Sequence, residues 1–191
     1  MSIISCVVAF VRKLVDFVSF LIASYFYRSQ KSCLPSIKEP ILMESAVVVS
    51  EKIRRGKLKC VAVVRAYLKR IEDVNKDIVA VGKIREEAIK EAEEIDRKGD
   101  LELNGNEPEG GESVLSLPLL GIRFTCKETV GVVRMPFTAG LVSRIGCRAQ
   151  EDAPVIKNLR SQGAICLGGE GAIISAAGGV VGVGTDIAGS L

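Results

Sequence analysis

The run L-P-L-L-G-I-R-F-T at 117–125, continued by Cys126, Lys127 and Glu128, is the stretch on which the fold turns. It is short and apolar at nearly every position, and it reads as a strand entering a buried layer. A second run of the same kind, G-A-I-C-L at 163–167, predicts another short buried strand. Between them D-A-P at 152–154 marks a helix start, with Asp152 as the cap and Pro154 in the first turn, and Val155 to Ser161 continues it. Helices alternating with buried strands indicate an α/β fold.

Upstream, apolar residues recur at helical spacing. Val47, Val48 and Ile53 mark one helix ending near Gly56. Val61, Val63, Val64, Tyr67, Leu68 and Ile71 mark a second, ending around Asn75. Ile78 to Val81 is expected as a short strand, and Arg85 to Lys98 as a solvated helix closed by Gly99. Residues 100–113, rich in acids and glycines and without a base, are expected as a surface loop.

Residues 1–27 differ from the rest. Ile3 to Tyr27 is mostly apolar and aromatic, but Arg12, Lys13 and Asp16 interrupt it, so neither charge-free half reaches the roughly 18–20 residues of a membrane span. Ser5, Arg12, Asp16 and Ser19 fall on one narrow helical stripe, with Arg12 and Asp16 an i,i+4 pair. A wide apolar face beside a narrow polar stripe predicts a membrane helix lying in the interface, with a single tilted span as the alternative. Residues 28–40 read as a linker, and 41–191 as the folded domain.

Composition narrows the chemistry. The 191 residues are about one domain, with 48% hydrophobic and 26% charged residues. A net charge of +3 is too small for a nucleic-acid-binding face. The count of histidines is 0, which removes Ser-His-Asp and Cys-His catalysis and the histidine zinc sites together. The cysteines at 6, 33, 60, 126, 147 and 166 form no C-x-x-C pair, so no metal or redox centre is expected. Reduced, buried thiols point to an intracellular setting. The glycine-rich end lacks the lysine of a phosphate loop at Ser190 and the third glycine of a dinucleotide fingerprint, so no cofactor is expected. Gly171, Ser175 and Gly179, four apart, would give a helix a smooth packing face. Lys127, ending an apolar strand, is a candidate for the desolvation that turns a lysine into a base.

Three segments in order change the weight of these readings: L-G-I-R-F-T-C-K-E at 120–128, D-A-P-V-I-K-N-L-R-S-Q-G-A-I at 152–165, and G-G-E-G-A-I-I-S-A-A-G through G-V-G-T-D-I-A-G-S at 168–190. Together they resemble the amidase signature family, and with the N-terminal segment they look most like its fatty-acid amide hydrolases of the second type. The resemblance implies a partial α/β/α sandwich with a mixed sheet for residues 41–191. It implies a membrane-associated serine amidase that splits fatty-acid amides into fatty acid and amine, with the bilayer and the amide as partners.

In that family a Ser–Ser–Lys triad does the work. The resemblance makes Lys127 the base, Ser190 the nucleophile, and the backbone N–H groups of Ile187, Ala188 and Gly189 the oxyanion hole. Three departures follow. The family's bridging serine is replaced by Cys166, and a segment of several tens of residues normally found ahead of G-G-E-G is missing after Leu167. Ala188 stands where the family has a glycine in the oxyanion turn. The chain stops at Leu191, ahead of most of the family's sheet. An inactive chain, with an open sheet edge and marginal stability, is therefore expected. The alternative to the enzyme is a non-catalytic product, a truncated isoform or partial gene product acting by membrane or partner binding.

Overall fold

The computed structural model describes residues 3–27, 33–108, 111–168 and 173–185. The chain divides into two units, Met1–Cys33 and Leu34–Leu191.

The first unit is the helix α1, Ile3–Tyr27. Its apolar side chains, among them Phe10, Phe17, Leu21 and Phe26, are exposed. The expectation of a membrane helix is not met. No helix among the described residues is long and apolar enough to cross a membrane. Arg12, Lys13 and Asp16 sit in the middle of α1 and break its apolar run. The lipid bilayer as a partner and the membrane-associated localisation rested on that helix and fall with it.

The second unit begins with α2, Ala46–Arg54, whose start is capped by Ser45: its Oγ accepts from the Val48 N–H at 3.4 Å. The next helix, α3, spans Cys60–Ile78. Cys60, Val63, Val64, Tyr67, Leu68, Ile71 and Val74 recur at three- and four-residue steps and are all buried. The strand expected at Ile78 to Val81 does not form. Here α3 runs on to Ile78, Val79 turns into the left-handed region (φ 47°), and the Asn75 amide bonds both the N–H and the C=O of Val81 at 2.8 Å. Those are the backbone groups a strand would have offered to a neighbour.

The helix α4, Glu87–Leu103, overruns the expected stop at Gly99. Gly99 is buried within it, and a Cβ there would lie 3.2 Å from Leu115. The glycine is thus a packing residue rather than a terminator. Asp96 on α4 accepts from the N–H groups of Cys60 (2.7 Å) and Val61 (3.0 Å), satisfying the start of α3. Glu102 accepts from Ser113 Oγ (2.6 Å) and the Val114 N–H (2.8 Å), so the expected loop begins only after the helix and is pinned to it.

Three strands follow: β1, Arg123–Cys126; β2, Ile165–Gly168; and β3, Val181–Val183. Between β1 and β2 lies α5, Pro154–Ser161, with Pro154 in its first turn as expected. Its cap is Ala153 without a side-chain bond, however, because Asp152 is used elsewhere. The sheet order is β2-β1-β3, and β1 pairs parallel with both neighbours. An isolated antiparallel bridge joins Ile84 to Gly168 at the end of β2. Entry to β1 and β2 depends on Gly121 and Gly163, which are hydrogen-bonded to each other (N···O 2.9 Å) at φ of 65° and 90°. A Cβ on Gly163 would come within 3.0 Å of the Leu120 Cα.

Strand alternation builds the layers. Ile165 and Leu167 face the core formed with α3 and α4, while Ala164, Cys166, Ile122, Phe124 and Cys126 face Ile156 of α5. This is the α/β sandwich, helices on both sides of a sheet. The smooth-faced helix expected around Ser175 is absent: among the described residues 173–179 form turns, closed by bonds from Ala177 to Ile174 and from Gly178 to Ile173. Val181 of β3, an edge strand among the described residues, is exposed.

One side chain works against the fold. Arg123 is fully buried on β1. Its guanidinium lies 4.4 Å over the Tyr67 ring and donates once, to the Gly121 carbonyl at 2.9 Å. Among the described residues its Nε and Nη2 find no partner, nor do the neighbouring Tyr67 hydroxyl and Thr125 Oγ1. The stacking offsets about 2 kcal/mol at best, less than the several kcal/mol that burying a charge without a counter-ion costs. Arg123→Met is therefore expected to stabilise the chain by about 1–4 kcal/mol. The check is the urea midpoint, which rises on this account; a fall would show the guanidinium to be net favourable.

Candidate functional site

The strands converge where β1 ends. The Lys127 N–H continues the ladder to the Val183 carbonyl at 2.8 Å, and Lys127 Nζ donates to the Thr185 carbonyl at 3.0 Å. Thr129 Oγ1 and Thr185 Oγ1 lie 2.9 Å apart. The lysine and the G-T-D-I-A-G-S run are thus brought together at Thr185. Ser190 and the oxyanion residues Ile187, Ala188 and Gly189 lie outside the described residues. Lys127 itself is exposed. Glu128 points its carboxylate to Thr138, accepting from the backbone N–H at 2.9 Å and from the hydroxyl.

Cys166 lies in β2 opposite Phe124, at the point where the parallel register shifts and Thr125 pairs with Gly168 instead of Leu167. Phe124 precedes Lys127 by three residues, about 10 Å of strand. Among the described residues no hydrogen bond joins the Cys166 thiol to Lys127, whose Nζ donates to Thr185, and a proton relay needs its partners within about 2.6–3.2 Å. Burial pushes the Cys166 thiol up to about 11, with Arg85 and the Gly168 backbone pulling weakly the other way. It is a buried, protonated thiol. Cys166 and Lys127 nonetheless share a cavity of about 310 Å³, walled by Val130, Val132, Met135 and Pro136 and edged by Lys83. Among the described residues no three His, Cys, Asp or Glu side chains gather to hold a metal ion.

A charged network behind β2 escaped the sequence reading. Arg85, almost fully buried, donates from its backbone to the Leu167 carbonyl (2.9 Å) and with both terminal nitrogens to Glu91 (2.7 and 2.8 Å). Arg160 of α5 bridges Glu91 and Asp152, and Asp152 also accepts the Val133 N–H at 2.7 Å. This ties α4, α5 and the segment after β1 to the end of β2, and it explains why Asp152 does not cap α5. A six-residue spacing between Arg85 and Glu91 matches no helical pairing, so only the fold reveals the pair.

An amidase family model matches residues 62–169, more than half of the chain. The chain belongs to the amidase signature family. It is closely related to fatty-acid amide hydrolase 2: it is 34% identical to fatty-acid amide hydrolase 2-A of Danio rerio over 214 residues, covering 92% of this chain and 39% of that protein. Against fatty-acid amide hydrolase 2 of Homo sapiens it is 33% identical over 192 residues, covering 81% and 35%. The chain therefore spans well under half the length of these relatives. Both aligned stretches are longer than the 191-residue chain while covering only part of it, so the relatives carry internal residues that this chain lacks. The family match ends at residue 169, beside the junction of β2 with G-G-E-G. Among solved structures, the fold matches a fatty acid amide hydrolase at TM-score 0.68 and 24% identity, over 88% of this chain and 34% of that one. Peptide amidase from Stenotrophomonas maltophilia matches at 0.57 and 27% identity, over 68% and 25%.

The Cys166 thiol gives a titration test. Its folded value of about 11 lies above the ordinary 9.0, so the unfolded chain gives up the proton first. The stability it contributes is complete below pH 9 and is lost as pH rises toward 11, at about 1.4 kcal/mol per pH unit. Urea-unfolding free energies should fall more steeply between pH 9 and about pH 10.5 in the native chain than in Cys166→Ala. Equal slopes would contradict the buried thiol.

Proposed function

We propose that this chain is a non-catalytic member of the amidase signature family, a partial amidase scaffold that keeps the lysine end of the relay and lacks its middle. By likeness to its relatives, Lys127 stands at the base position, Ser190 at the nucleophile position, and Ile187, Ala188 and Gly189 at the oxyanion turn. In the complete relay a neutral lysine draws a proton through the bridging serine as the nucleophile attacks an amide carbonyl, and backbone N–H groups hold the oxyanion. For relatives named fatty-acid amide hydrolases the amide is that of a fatty acid, and the same substrate class is the one this scaffold derives from.

The observation that carries the reading is Cys166. By likeness it stands at the bridging position, but as a buried thiol in β2, a weaker hydrogen-bond donor and acceptor than the hydroxyl of a serine. Lys127 Nζ is meanwhile directed at the Thr185 carbonyl, an acceptor that uses one of its protons and offers none to pass on. Both features remove steps from a chain in which each group acts only through its neighbour.

A fluorophosphonate probe tests this. The purified chain is expected to remain unlabelled at Ser190 under conditions that label a full-length fatty-acid amide hydrolase 2, and Cys166→Ser alone is expected to leave it so. Labelling that disappears in Ser190→Ala would overturn the reading.

A further inference from the structure

The cavity beside Lys127 has a charge pattern that an amidase does not require. Its walls are apolar: Val130, Val132, Met135 and Pro136. Its rim carries two ammonium groups, Lys83 and Lys127, both exposed, and neither has a carboxylate within salt-bridge distance among the described residues. Among the described residues the one acid on the rim is Glu128, which is committed to Thr138. Among the described residues the opening thus carries two cations against one anion that is already hydrogen-bonded. At about 310 Å³ the cavity is at the small end of ligand sites, which run to about 1,000 Å³.

From this arrangement we propose that the cavity binds a small amphipathic carboxylate, with its apolar body against Val132 and Met135 and its anionic head between Lys83 and Lys127. The inference rests on the non-catalytic reading, because Lys127 then serves as a fixed cation and not as a base. The walls supply affinity through apolar area removed from water, and the lysines supply the choice of head group. A neutral amide of the same body would keep the first contribution and lose the second. An amine would meet like charge.

The test is titration of the isotope-labelled full chain, followed by backbone amide shifts, with decanoate, decanamide and decylamine at concentrations where each is monomeric. Decanoate is expected to shift Val132 and Met135 and to bind about 3–10-fold tighter than decanamide, with decylamine weakest. Lys83→Gln and Lys127→Gln, both at exposed positions, should each weaken decanoate about 2–5-fold and leave decanamide unchanged. Glu128→Gln should tighten decanoate. Decanamide or decylamine binding as tightly as decanoate would overturn the proposal, as would decanoate shifts that miss the cavity walls. The two readings fail separately: labelling of Ser190 by fluorophosphonate would overturn the non-catalytic assignment, whereas these titrations report binding whether or not chemistry occurs.

Discussion

The parallel ladder around β1 is the constraint on which the rest depends. Among the described strands β1 alone has neighbours on both sides, and its four residues are all buried. Parallel strands cannot be joined by a tight hairpin, so each pairing requires a crossover. The crossover from β1 to β2 carries α5 and covers one face. The other face is closed by α3 and α4, which precede β1 in the chain. The Arg85–Glu91–Arg160–Asp152 network then clamps helices from the two faces to the end of β2. Lys127 and Cys166 owe their places to this ladder, one just past the end of β1 and the other inside β2.

The ladder also sets where the two stand relative to each other. In a parallel pair the register fixes how far along each strand a side chain emerges, and Cys166 pairs with Phe124 rather than with a residue at the end of β1. Here β2 runs directly into Gly168, whose surroundings are crowded: a Cβ there would meet the Lys83 carbonyl at 2.7 Å. The site that results is a cavity with two cations at its rim and a thiol in its wall.

Much of this was legible in the sequence. The apolar runs at 117–125 and 163–167 located the buried strands, although residues 118–121 form a turn and β1 begins only at Arg123, and the stripe from Val61 to Ile71 gave α3, because burial on a fixed face imposes a period. Lys127 and Cys166 were picked out by motif, and the fold puts them on one cavity. What was not legible depended on tertiary contacts. Asn75 ends the possibility of a strand by bonding Val81. Gly99 is held inside α4 by Leu115, and Asp152 is drawn from its capping role by Arg160. The membrane reading of residues 1–27 took an apolar helix for an anchor, although Arg12, Lys13 and Asp16 interrupt it at the centre. Arg123, inside a run that reads as strand, gave no warning that its guanidinium would be buried against Tyr67.

The central claim, that the scaffold has lost its chemistry while keeping its lysine, is tested most directly by measuring amide hydrolysis itself. The chain and its Lys127→Ala variant are incubated with a fatty-acid primary amide, and free fatty acid is quantified by mass spectrometry over many hours. The account predicts the same release from both, equal to that in buffer alone. Release by the native chain that exceeds buffer and disappears in Lys127→Ala would contradict it.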